Sequence, residues 1–184
     1  MNKFFSFFFF LFISVSLFSQ PEIIKHVEVG QVLPASSWVI DLNQDTVHYR
    51  EFSDKWLLID FWTQGCIPCI QEFPYLNKFA VKTDTTKIRI IGIFVGKNGF
   101  KWSQLAKRYG LVFPTYYGGW SQNNALLALN FKIVTDENSN QKIVTHTPQY
   151  VLIAPGGLIV DKELGKPSTS GFLMSVNRYL GEHK

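Results

Sequence analysis

Residues 58–70 of this 184-residue chain read LIDFWTQGCIPCI. The segment joins an apolar run, which is interrupted by Asp60, to Cys66 and Cys69, the two cysteines of the sequence. An apolar run of this kind, covering 56–62, is typical of a strand that is buried on both faces of a sheet. Beyond the first cysteine, apolar residues recur at spacings of three, which predicts a helix. The cysteines therefore lie where a buried strand turns into a helix.

Two cysteines at this spacing could be half of a metal site, a local structural staple or a redox pair. A zinc site needs four ligands, and without a second cysteine pair the others would have to be histidines, none of which are paired at ligand spacing. The histidines are His26, His48, His146 and His183. A disulfide that closes so short a loop stabilises little. The pattern favours a redox pair, and we expect no metal.

The position of Cys66 at the start of the predicted helix has a chemical consequence. Unpaired backbone N–H groups and the helix dipole stabilise an anion there, which lowers the pKa of a thiol. Because the thiolate is the attacking species in thiol–disulfide exchange, Cys66 is the expected nucleophile. Cys69 lies one helical turn further in. It is the expected resolving thiol, close enough to form a disulfide with Cys66.

Strands and helices alternate along the rest of the chain. Hairpins or strands are predicted at 30–49, 87–96, 132–146 and 149–163, and helices at 99–110, after Ser121 and at 168–181. Strands that alternate with helices imply crossover connections and a central sheet covered on both faces. The length and a hydrophobic content of 46% suit one globular domain.

The N-terminus has the layout of a secretory signal peptide, predicted at 1–19. Its apolar stretch is shorter than the roughly 20 residues of a membrane-spanning helix, so we expect cleavage and no stable membrane insertion. An extension at 20–29 and a domain at 30–184 would follow, in a protein exported to the periplasm or cell envelope. The net charge of +4 is spread without a basic run, so nucleic acid is not an expected partner.

The quoted segment resembles the active-site segment of thioredoxins, in which Asp-Phe-Trp precedes Cys-x-Pro-Cys. The sequence EFP at 72–74 is similar to the extracytoplasmic TlpA/ResA-like branch of that superfamily, and THTPQYVLIAPGGLIV at 145–160 resembles its cis-proline segment. The resemblance implies a thioredoxin-like α/β fold with a central mixed sheet flanked by helices. An N-terminal hairpin opens this fold, and the hairpin at 132–146 is an apparent insertion before the cis-proline.

The resemblance also implies roles for particular residues. Cys66 and Cys69 would form the redox-active disulfide, Asp60 would accept the proton of Cys69 through water, and Glu72 would tune the thiol pair. The alternative for Asp60 is an aspartate at the exposed end of the strand. The alternative for Glu72 is a solvated carboxylate on the helix surface.

A second set of residues would contact the partner protein. These residues are Trp62, Ile67, Pro68, Thr147 and Pro148. The resemblance implies that Pro148 follows a cis peptide bond opposite the disulfide and that the backbone of Thr147 binds an extended chain.

The expected function is that of an exported, monomeric thiol–disulfide oxidoreductase that reduces disulfides of partner proteins and takes electrons from an envelope donor. No motif indicates an organic cofactor. One alternative is a thiol peroxidase of peroxiredoxin type, since Thr63 and Cys66 match the Thr-x-x-Cys end of that signature, although Ile59 replaces its proline. A non-catalytic binding module with the thioredoxin fold is the other alternative.

Overall fold

The computed structural model describes residues 27–97, 99, 101–119 and 124–181, so the predicted signal peptide lies outside the described residues. The strands of this part are β1 (Trp38–Ile40), β2 (Thr46–His48), β3 (Trp56–Trp62), β4 (Ile88–Val95), β5 (Thr115–Gly119), β6 (Phe131–Thr135), β7 (Gln141–Thr145), β8 (Gln149–Ile153) and β9 (Ile159–Asp161). The helices are α1 (Ile67–Lys82), α2 (Trp102–Arg108), α3 (Ala125–Ala128) and α4 (Ser170–Tyr179). Short 3₁₀ helices cover Tyr49–Phe52 and Pro155–Gly157.

The central sheet has seven strands in the order β2-β1-β5-β4-β3-β8-β9. Strands β3, β4 and β5 are parallel, whereas β8 and β9 are antiparallel to their neighbours and the hairpin of β1 and β2 forms the other edge. Strands β6 and β7 form a separate two-stranded hairpin. The predicted mixed sheet with flanking helices, the N-terminal hairpin and the inserted hairpin are therefore confirmed.

Strand β3 lies at the centre of the core. Its residues from Leu57 to Trp62 are all buried, and they alternate between the two faces of the sheet. Leu58 packs on one face with Leu76 of α1 and Phe172 of α4, whereas Ile59 packs on the other face with the residues of α3. Because both faces are covered, β3 is apolar in the sequence at every position except Asp60.

The sequence analysis missed β5. Its residues, TYYGG, contain two glycines and lack the continuous apolar pattern of β3, and β5 is held by pairing with β1 and β4. Helix α3 was expected to begin at a Ser121 cap, which lies outside the described residues. Asn124 caps the helix instead, because its side chain accepts a hydrogen bond from the backbone N–H of Leu126.

The packed domain begins before Gly30, its predicted start. Val27 is 5% exposed and belongs to the core, and the N–H of Gly30 donates to the carbonyl of Ile159 in β9 at 2.8 Å. In the described parts of the chain, no helix combines the length and apolarity that crossing a membrane requires.

Candidate active site

Cys66 and Cys69 are joined by a disulfide at the start of α1, as predicted, with an S–S distance of 2.05 Å. Cys66 is the N-cap residue of the helix, and its sulfur accepts a hydrogen bond from the backbone N–H of Cys69 at 3.2 Å. The preceding Gly65 has φ of +76°, a left-handed conformation that favours glycine. This turn after β3 aligns the first sulfur with the free N–H groups of the helix.

The two sulfurs differ in their access to solvent. Cys66 is 9% exposed and Cys69 is 1% exposed, so a partner can reach the first cysteine more easily than the second. Ile67 is 62% exposed and Pro68 is also exposed, which leaves an apolar surface beside Cys66. This difference agrees with an attacking Cys66 and a resolving Cys69.

Asp60 is completely buried in β3. Neither oxygen of its carboxylate has a hydrogen-bond partner among the described residues, and burial raises its pKa from 3.8 to about 8. Side chains two apart in a strand share a face, so Asp60 faces the same side of the sheet as Trp62, which packs in one cluster with both cysteines. The alternative of an aspartate at an exposed strand end is therefore excluded.

Glu72 is 6% exposed and is held by a residue far away in the sequence. One carboxylate oxygen accepts the backbone N–H of Ser168 and the other accepts its hydroxyl, both at 2.9 Å. Ser168 lies just before α4, so Glu72 ties α1 to the start of the last helix. The alternative of a solvated helix carboxylate is also excluded.

The peptide bond between Thr147 and Pro148 is cis, as the resemblance implied. Pro148 immediately precedes β8, whose first residue, Gln149, pairs with Phe61 near the end of β3. Since β3 runs from there into the turn that carries Cys66, the cis-proline lies at the same end of the sheet as the disulfide.

Comparison with known proteins agrees with this geometry. The Redoxin family matches residues 28–179. The chain belongs to this family. The thiol-disulfide oxidoreductases ResA of Bacillus thuringiensis subsp. konkukian and of Geobacillus kaustophilus are both 28% identical to it, over 90 and 88 residues. These alignments cover 49% and 48% of this chain, and it spans about half the length of the curated relatives, 51% and 50%.

Solved structures confirm the thioredoxin-like fold of this redoxin. The thioredoxin domain of a thiol-disulfide oxidoreductase from Bacteroides vulgatus matches with a TM-score of 0.62 and 23% identity, over 84% of this chain and 99% of that one. A thiol:disulfide interchange protein from Bacteroides sp. matches with a TM-score of 0.65 and 23% identity, over 86% and 93%. At these identities the comparison establishes the fold and nothing beyond it.

Trp62 was expected to contact the partner protein, but the structure buries it. Its side chain is fully buried and packs edge-to-face against the rings of Phe73, Phe94 and Tyr109, with centroids 5.8, 4.9 and 6.1 Å away. Strand β3 directs this indole into the core below the cysteine turn. It therefore supports the turn from beneath instead of offering a contact surface to a partner.

Sequence reasoning missed a polar network behind the cis-proline. The amide of Asn130 donates to the carbonyl of His146 at 2.6 Å and to the side-chain oxygen of Gln149 at 2.8 Å. Gln149 in turn donates to the carbonyls of Leu129 and Lys162, at 3.1 and 2.9 Å. This network holds the segment before β8 in place. Nothing in the local pattern of these amides distinguishes them from surface residues.

Proposed function

We propose that this chain is an exported thiol–disulfide oxidoreductase that reduces disulfides of partner proteins. The observation that carries the proposal is the Cys66–Cys69 disulfide at the N-terminus of α1, with its more exposed sulfur at the helix cap. A thiolate at that position is stabilised by the helix and is a reactive nucleophile. The sequence similarity to ResA proteins, named thiol-disulfide oxidoreductases, supports the same reaction class.

The reaction proceeds through a mixed disulfide. In the reduced protein, the thiolate of Cys66 attacks one sulfur of the partner disulfide, and the other partner sulfur leaves as a thiolate. Cys69, once deprotonated, then attacks the sulfur of Cys66, and the second partner sulfur leaves. The partner gains two electrons and takes up two protons, and the chain is left with the Cys66–Cys69 disulfide. An envelope dithiol returns it to the reduced form.

Asp60 is suited to accept the proton of Cys69. Its pKa of about 8 allows the carboxylate to take up and release a proton near neutral pH, which is what a general base requires. Transfer through a water molecule would connect the two groups. Glu72, held by Ser168, fixes α1, which carries Cys69, against the start of α4.

The surface around Cys66 suits an extended protein chain. Ile67 and Pro68 are exposed on one side, and Thr147 and Pro148 are partly exposed at the same end of the sheet. The backbone of Thr147 would hydrogen-bond to the partner, as in strand addition. The domain would act as a monomer. The apolar N-terminal segment at 1–19 would direct its export.

Trapping in the native envelope tests the function. Cys69→Ser leaves Cys66 free to attack the partner, but no second thiol remains to resolve the mixed disulfide. This mixed disulfide should therefore accumulate, and it should disappear when a reductant is added. Cys66→Ser is the matched control, since it keeps one cysteine and removes the nucleophile. Equal amounts of mixed disulfide with both variants, or none with either, would refute the proposal.

The redox direction has its own test. Ile67 and Pro68 supply no charge partner for the Cys66 thiolate, and Asp60 and Glu72 nearby would, when ionised, oppose a second negative charge. Both effects stabilise the disulfide relative to the dithiol, which favours a reductant. Equilibration with glutathione buffers should give a potential nearer the roughly −270 mV of thioredoxin than the roughly −120 mV of DsbA, a strong oxidant.

The peroxidase alternative has no specific support from the site. A bacterioferritin comigratory protein of Xanthomonas campestris, whose structure addresses alkyl peroxide reduction, matches with a TM-score of 0.62 over 85% of this chain and 99% of that one. Its 17% identity establishes a shared fold only. Peroxide consumption by the reduced chain, measured beside disulfide reduction, separates the two activities.

A further inference from the structure

Acidic residues are absent from a long stretch of the chain beside the disulfide. Residues 85–135 contain seven lysines and arginines and no aspartate or glutamate, although an even spread of the chain's fourteen acidic residues would place about four there. This stretch supplies β4, α2 and β5, and in the sheet β4 and β5 follow β3 on the side away from β8. Every charged side chain that these three elements contribute to the surface is therefore a cation.

Lys97 lies in the loop that joins β4 to α2. Strands β3 and β4 are parallel neighbours, so this loop leaves the sheet at the same edge as the turn that carries Cys66. The first residue of the loop, Gly96, lies beside that turn, since a Cβ at Gly96 would be 3.4 Å from the hydroxyl of Thr63. Lys97 follows directly and is exposed to solvent.

Lys101 closes the same loop and is also exposed. It immediately precedes Trp102, which packs in one buried cluster with Cys66 and Cys69. Lys101 is the N-cap residue of α2, and its side chain makes no capping hydrogen bond. A cation is unfavourable at this end of a helix, where serine, threonine, aspartate and asparagine are preferred. The stability of α2 therefore gives no reason for a lysine at this position.

Tyr117 of β5 fixes the loop between the two lysines. Its hydroxyl donates a hydrogen bond to the carbonyl of Gly96 at 3.0 Å. The backbone of Gly99 packs so closely on the same ring that a Cβ there would lie 2.6 Å from a ring carbon. Lys97 stands between these two contacts, so its place beside the cysteine turn is set by the packing.

The positive charge of this loop is not balanced inside the described parts of the protein. Neither Lys97 nor Lys101 forms an ion pair with another described residue. The acidic residues of the site, Asp60 and Glu72, are only 0% and 6% exposed, and both oxygens of Glu72 accept hydrogen bonds from Ser168. The two ammonium groups are therefore available to an anionic group outside the chain.

We propose that Lys97 and Lys101 are specificity-determining residues that select partner segments with aspartate or glutamate beside the disulfide. This inference rests on the proposed function and names the substrate class of the same site. In the strand order, the end of β3 with its disulfide lies between the cis-proline segment before β8 and the lysine loop after β4. Because adjacent strands are about 4.8 Å apart, a carboxylate about two residues from the partner cysteine reaches the loop. An ammonium group binds a carboxylate by a charge-assisted hydrogen bond.

Single-turnover reduction of synthetic peptides tests this selection. Each peptide carries one disulfide flanked on both sides by glutamates, by glutamines or by lysines, and is mixed with the fully reduced protein. The two thiols of the protein supply the two electrons and two protons that the peptide disulfide takes up, so no other reductant is needed. At low ionic strength the glutamate peptide should react about tenfold faster than the lysine peptide, and the ratio should approach one in roughly 0.5 M salt, because exposed charge pairs are weak and are screened.

Charge variants assign the selection to the loop. Replacing both lysines with glutamine should bring the ratio of the two rates close to one, and replacing both with glutamate should invert it. The double variant Lys78→Glu, Lys82→Glu is the matched control, since these exposed lysines lie about 18 Å or more from Cys66 along α1 and should leave the ratio as it is. Because the ratio compares peptides within one variant, a general change in the reactivity of Cys66 cancels.

A wild-type ratio near one, an unchanged ratio in the glutamate variant, or an equal change in the control would overturn the proposal. If no peptide is reduced, the proposed function fails, and binding alone decides the role of the lysines. For this measurement the peptides carry serines in place of cysteines and are added to the oxidised protein. The glutamate peptide should shift the backbone amide NMR signals of Lys97 and Lys101, and the lysine peptide should not. Equal shifts, or none, would overturn the selection by charge.

Discussion

Replacing Asp60 with asparagine should stabilise the protein at neutral and alkaline pH. The pKa of this carboxyl is about 8 in the folded protein and 3.8 in an ordinary, solvated environment. Between these values the folded protein holds a proton that the unfolded chain has released. Stability linked to this proton is fully present below about pH 4 and is lost as the pH rises through about 8. Asparagine has nearly the same shape and does not ionise, so it removes this loss.

The magnitude follows from the size of the pKa shift. Each unit of difference between the folded and unfolded pKa corresponds to about 1.4 kcal/mol. A shift of about four units therefore amounts to roughly 5 kcal/mol of unfolding free energy, lost in the wild-type protein between about pH 4 and pH 8. Local relaxation around the ionised carboxylate reduces this figure, so a measured gain of about 2 to 5 kcal/mol for Asp60→Asn at pH 8 is expected.

Urea unfolding of the oxidised protein at several pH values between about 4 and 9 provides the assay. The difference in unfolding free energy between Asp60→Asn and wild type should be small at the acid end and grow towards pH 8. Asp45→Asn, at an exposed aspartate of the N-terminal hairpin, is the control and should show no such growth. Parallel curves for wild type and Asp60→Asn would refute the argument, because they would mean that Asp60 has the same pKa in the folded protein as in the unfolded chain.

Other substitutions and reactions test the remaining parts of the site. In the reduced protein, alkylation followed by mass spectrometry should modify Cys66 first and at lower pH than Cys69, and the reverse order would contradict the assigned roles. Glu72→Gln should lower the unfolding free energy by about 1–2 kcal/mol, since an amide cannot accept both hydrogen bonds from the serine before α4, and it should also shift the pH dependence of alkylation. The exposed neighbour Gln71→Glu should change stability by less than about 0.5 kcal/mol, and an equal effect would refute this role. Gly92→Ala should cost about 1–3 kcal/mol in thermal unfolding, because its Cβ would lie 2.9 Å from a threonine methyl and 3.1 Å from an indole nitrogen; an unchanged Tm would contradict this packing.

Local pattern was sufficient for the elements whose apolar periodicity or turn residues are pronounced. The strand at 56–62, the helix that follows Cys66 and the hairpins at each end of the domain all lie where the periodicity and turn residues predicted them. Strand β5 was missed because its pattern is weak and its stability comes from β1 and β4. A short strand with two glycines and no continuous apolar run leaves little local signal, and its tertiary pairing then decides its conformation.

The sequence by itself determined the redox pair, its place at a helix N-terminus and the family resemblance that pointed to a cis-proline. Only the tertiary structure decided which polar groups are buried. It placed Asp60 out of contact with water opposite Tyr150, and it joined Glu72 to Ser168 across 96 residues of sequence. It also buried the side chain of Trp62 in the core. The physical reason is that a helix cap depends on a few adjacent backbone groups, whereas the proton affinity of a carboxylate depends on everything that packs around it.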